Sequence, residues 1–72
     1  MMPDASDPVR LSAELAHWDV FLSSEEVLHL RAHAYSRVDD VFVFVALAEG
    51  TPPYEIELAR IPAGLVEKIR GG

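Results

Sequence analysis

No cysteine, asparagine or glutamine occurs in the chain. Without cysteine there is no disulfide, no thiolate metal ligand and no thiol nucleophile, so two staples common in small domains are excluded and stability must come from packing. Basic residues are scarce too. Six Lys plus Arg, only one of them lysine, stand against twelve Asp plus Glu, for a net charge of −6. Affinity for nucleic acid is carried mostly by Lys and Arg neutralising phosphates, so this balance argues against a nucleic-acid partner and makes a basic protein easier to accommodate. Missing amides with so little lysine fit biased codon usage as well as heat adaptation. The longest apolar run is eight residues, less than half a membrane span, and Met1-Met2-Pro3-Asp4-Ala5-Ser6-Asp7 lacks the basic start and apolar core of a leader. A cytoplasmic protein without membrane contact is expected. One domain is the expectation for 72 residues. A chain this short buries only about 60% of its unfolded surface, a thin margin that oligomerisation commonly widens.

What is present is organised around Val41 to Ala48, Val-Phe-Val-Phe-Val-Ala-Leu-Ala. β-branched and aromatic residues bounded by Asp39-Asp40 and Glu49-Gly50 predict a strand buried on both faces, Val41, Val43, Val45 and Leu47 to one side and Phe42, Phe44, Ala46 and Ala48 to the other. Residues 1–6 read as a flexible lead-in. Asp7-Pro8 is a helix start, and Leu11, Leu15 and Trp18 at i, i+4 and i+7 predict an amphipathic helix from about Pro8 to Trp18. Ser23-Ser24-Glu25-Glu26 is a capping box that favours a second helix, yet Leu28 to Tyr35 alternates as a half-buried strand does; the longer alternation decides for strand. Tyr54 to Arg60 alternates and predicts another strand, and Pro62 opens a final helix, with Leu65, Val66 and Ile69 on one side and a stop at Gly71.

The expected fold is therefore α+β, a three-stranded antiparallel meander flanked by helices in the order α-β-β-β-α, with α-α-β-β-α the alternative if residues 24–37 are helical. One sheet face packs under the helices. The other carries a stripe of Phe or Val between His29, Arg31, His33 and Tyr35 on one strand and Glu55 and Glu57 on the other. Such a face is self-complementary about a two-fold axis, which predicts a homodimer whose contact surface includes Phe42, Phe44, His29, Arg31, His33 and Tyr35.

No nucleophile elbow, glycine-rich phosphate loop or cofactor fingerprint is present, so a non-enzymatic contact module without cofactor is expected. The alternative is a metal-binding or small-ligand enzyme using Glu26, His29 and His33. On a helix these spacings share a face and suit zinc, whereas on a strand His29 and His33 lie about 13 Å apart and share no metal. His17, near the end of the first expected helix, is accounted for by the helix dipole. Glu55 and Glu57 read as a guarded, solvated edge. Arg70-Gly71-Gly72 resembles the tail of ubiquitin, and the terminal Gly-Gly resembles that of the sulfur-carrier proteins. That resemblance implies activation of the Gly72 carboxylate and an unhindered extended tail. The α-β-β-β-α order resembles double-stranded RNA-binding domains in topology, but Pro62 to Glu67 lacks the basic helix start that resemblance requires.

Overall fold

The structure, a computed structural model, describes residues 10–72. Its elements are β1 (Ala16–Leu22), β2 (Val27–Ala32), β3 (Ala34–Val38), β4 (Val41–Ala48), β5 (Tyr54–Pro62) and β6 (Val66–Gly71), with a 3-10 turn at Ala63–Leu65. They build two three-stranded antiparallel sheets, ordered β2-β1-β6 and β3-β4-β5. We call these sheet I and sheet II. Two runs of chain pass from one sheet to the other: β2 continues into β3 across His33, and β5 into β6 across the 3-10 turn. Corners of this kind let two small sheets face each other over one core.

That core is Val20 from β1, Ala32 from β2, Phe44 from β4 and Ile61 from β5, with Trp18, Leu22, Leu30, Phe42, Ala59, Val66 and Ile69 packed around it. Phe44 has no exposed surface. The Trp18 ring meets it edge-on at 6.2 Å, and the indole N–H donates to the Ala32 carbonyl at 2.9 Å, so the polar end of the largest side chain is satisfied as its body is covered. Residues 10–12 run beside the end of β4 where β3 has turned away. The Ser12 N–H donates to the Leu47 carbonyl at 2.9 Å and the Glu49 N–H to the Arg10 carbonyl at 2.7 Å.

Among the described residues the flanking helices of the α+β expectation are absent, and these residues are nearly all strand or the turns between strands. The lead-in and Asp7-Pro8 lie outside the described residues. Within the first expected helix, Leu11 makes a bridge to Ala48 instead. Ala16 opens a strand because Ala16, Trp18, Val20 and Leu22 alternate with His17, Asp19 and Phe21, a period-two pattern overlooked beside the helical spacing of Leu11, Leu15 and Trp18. The expected last helix is β6. Val66 pairs with Leu22 and Lys68 with Phe21, so Glu67 is an extra residue in a bulge. Val66 and Ile69 thus both reach the core at a spacing of three, which imitates a helix.

Residues 24–37 are not helical, which removes the α-α-β-β-α alternative as well. The capping box forms the turn between β1 and β2, where the Leu22 N–H donates to the Glu26 carbonyl at 2.9 Å and Glu25 takes a φ of 75°. The expected Leu28–Tyr35 strand is two strands broken at His33. β4 coincides with the apolar run. Its Phe44, Ala46 and Ala48 face is buried, while Val41, Val43 and Val45 are half-buried and Leu47 is 41% exposed. One face of β4 therefore lacks full cover. No helix among the described residues is long and apolar enough to cross a membrane.

Candidate functional site

Two outer faces carry the side chains with functional potential. On sheet I, His17, Asp19 and Phe21 alternate outward from β1, and the antiparallel register sets Arg31 opposite His17, His29 opposite Asp19 and Val27 opposite Phe21. On the other side of β1, Arg70 is opposite Asp19 and Lys68 opposite Phe21. Directly paired residues share a face, so three of the six Lys and Arg residues and two of the three histidines gather on this face of an acidic protein. Lys68 covers the Phe21 ring at 4.9 Å. Arg31, Lys68 and Arg70 make no ion pair with another described residue.

At the centre of that face, Asp19 Oδ1 lies 2.7 Å from His29 Nδ1 and 3.1 Å from His17 Nε2. The imidazole rings are 5.8 Å apart between centroids. The bond from His29 is the chief reason the Asp19 carboxyl is held below its ordinary value; partial desolvation opposes it, and the bond from His17 and the charges of both imidazoles add to the lowering. All three side chains are solvent-accessible.

His33 does something different. Its Nδ1 accepts from the Leu47 N–H at 2.7 Å and its Nε2 donates to the Ala13 carbonyl at 2.8 Å. A backbone amide only donates and a carbonyl only accepts, so the tautomer follows from the partners. The imidazole links the chain before β1 to β4 at the corner where β2 becomes β3, and neither nitrogen is left for a ligand. Glu26 lies in the β1–β2 turn, accepting from the Ser24 hydroxyl at 3.2 Å. The structure therefore does not bring Glu26, His29 and His33 together. His29 is joined instead to His17 and Asp19, which sequence reasoning missed because only strand pairing makes them neighbours. The period-two arrangement of His17 and Asp19 was the available signal, hidden by the helix assigned there.

The second face is the outside of sheet II. Val41, Val43, Val45 and Leu47 run down its middle strand, with Val38, Ser36 and Ala34 of β3 opposite the three valines. Pro62, Arg60, Glu57 and Glu55 of β5 flank the stripe on the other side. Arg60 pairs with Glu57, and Val38 is 54% exposed.

The six residues expected to form one contact surface are distributed. Phe44 is enclosed and Phe42 packs beside it. Tyr35 stands against Trp18, Phe44 and Phe42 with centroids 5.1, 5.2 and 5.9 Å away. His29 and Arg31 are on the outer face of sheet I and His33 is in the corner. The break at His33 reverses the alternation, so Leu28, Leu30 and Ala32 share a face in β2 whereas Tyr35 and Arg37 share one in β3. Gly71 and Gly72 lie along β1: the Gly72 N–H donates to the His17 carbonyl at 3.2 Å, so the tail is docked rather than free. Comparisons with protein families, with curated proteins and with solved structures find no match to this chain.

Proposed function

We propose that this protein is a non-enzymatic contact module of the cytoplasm that works as a homodimer, two copies joining through the outer edges of β3. The observation that carries this is an unguarded edge strand. β3 is at the end of sheet II, and all five of its residues are exposed. An exposed row of backbone donors and acceptors invites another strand unless charge, proline or a bulge discourages it. β5, at the opposite edge, has these guards: Glu55, Glu57 and Arg60 along it, a bulge at Leu58, and Pro53 and Pro62 at its ends. β3 has none of them except Arg37, whose guanidinium is turned to Asp40 at 3.2 Å and to the Phe42 ring at 5.9 Å.

Antiparallel self-pairing about a two-fold axis at Ser36 sets Ala34 against the partner's Val38 and Tyr35 against the partner's Arg37. It also makes one six-stranded sheet whose valine stripes lie on a common face. An isologous contact of this kind supports a small apolar contact and an aromatic–cation contact twice each.

The test is solution mass by light scattering over a dilution series. The wild type is expected at twice the 8.0 kDa chain mass when concentrated. Ser36→Lys, which sets two like charges face to face at the axis, is expected to remain a monomer with an unchanged circular dichroism spectrum. A wild type that is monomeric throughout, or a Ser36→Lys variant that still dimerises, would refute the proposal.

A further inference from the structure

We infer that His17, Asp19 and His29 form a binding site for a divalent transition-metal cation of the zinc type, independent of the β3 edge. One ligand atom from each, an imidazole nitrogen of His17, an Asp19 oxygen and an imidazole nitrogen of His29, lies within 4.8 Å of the others. Two of the separations, 3.1 Å and 2.7 Å, are already near the roughly 3.0–3.4 Å between ligands bound about 2.0–2.1 Å from one ion. Small side-chain rotations at exposed positions supply the remainder. Two imidazoles and one carboxylate suit Zn²⁺, Ni²⁺ or Cu²⁺, and the set is poor for Mg²⁺ or Ca²⁺, which take oxygen ligands.

The backbone supports the arrangement. Asp19 and His29 are direct cross-strand partners, and His17, two residues before Asp19 on β1, projects from the same face. β1 is the middle strand of sheet I, so two of the three ligands stand on the best-supported strand of that sheet. Asp19 accepts from both imidazoles, and a cation would replace those two bonds with coordination by all three groups. Three protein ligands leave at least one position open. Arg31 and Arg70 occupy the neighbouring outward positions, opposite His17 and Asp19. Their charge works against cation binding and makes this a weaker site than a buried one, while favouring an anion such as a carboxylate or phosphate on the open position.

The experiment is calorimetric titration of the full chain with zinc chloride, together with amide chemical-shift mapping of the wild type. Saturable binding of one Zn²⁺ per chain is expected, with the largest shifts confined to residues 16–20 and 28–30. His29→Ala and Asp19→Asn are each expected to weaken binding by about tenfold or more, whereas Glu26→Gln binds as the wild type does. Absence of saturable binding, shifts centred elsewhere, or affinity that survives both His29→Ala and Asp19→Asn would overturn the inference.

Discussion

The three histidines have two different settings. His33 has both nitrogens committed to backbone groups of two separate segments. Removing its ring leaves the Leu47 N–H and the Ala13 carbonyl without those partners at the corner between the sheets. His33→Ala is therefore expected to cost about 1–2 kcal/mol, from two net hydrogen bonds of about 1 kcal/mol each. Urea denaturation measures the loss, and faster exchange of the Leu47 amide locates it; an unchanged Leu47 exchange rate would contradict this role. His17 and His29 instead form exposed pairs with Asp19. Such pairs contribute little to folding, so His29→Ala is expected to unfold close to the wild-type midpoint. The contrast separates a histidine that holds the fold from two that are available to a ligand. Along the sequence all three look alike.

At the scale of elements, β6 shows most clearly how a strand reaches a position that its letters disguise. Gly71 has a φ of +127°, and a Cβ there would come 2.2 Å from the His17 carbonyl oxygen. Any side chain forces the two backbones apart. A left-handed conformation also strains residues other than glycine by about 1–3 kcal/mol. Gly71→Ala is expected to lose a comparable amount of stability, with a red shift of Trp18 emission because Gly72 lies against the indole. Unaltered emission and midpoint would contradict this docking. The same glycines read as a helix stop or a free tail when the chain is taken alone.

β4 was legible because a run of Val and Phe between turn residues has one good solution, and β5 begins at Tyr54 where its own alternation starts; Ser36, Arg37 and Val38, which read as part of the turn with Asp39-Asp40, belong to β3. Beyond that, local patterns misled. Bulges at Glu67 and Leu58 shift the alternation by one residue. The first makes Val66 and Ile69 look helical; the second leaves Leu58, two residues after the half-buried Ile56 in an alternating segment, 45% exposed. His33 reverses the facing of β3 with no glycine or proline to announce it. The cluster of His17, Asp19 and His29 depends on the β1–β2 register, which no local spacing encodes once β1 is taken for a helix.

Among the described residues few side chains of any size are fully buried, Phe44 and Val20 being the largest. Deleting an aromatic from such a core costs about 3–5 kcal/mol, comparable to the full stability of a domain this small. Phe44→Glu would therefore unfold the chain instead of reporting on association, and Ser36 and Val38 are the positions at which self-contact can be probed without touching the core. A thin core, a valine stripe with one side open and an unguarded β3 edge belong together if the stable unit is a pair of chains. Hydrogen exchange of the amides of Ala34–Val38 in dilute and concentrated protein tests this most directly. Pairing predicts that the β3 amides not bonded to β4 become protected as concentration rises, with no such change in β5. Equal, rapid exchange of those amides at both concentrations would contradict it.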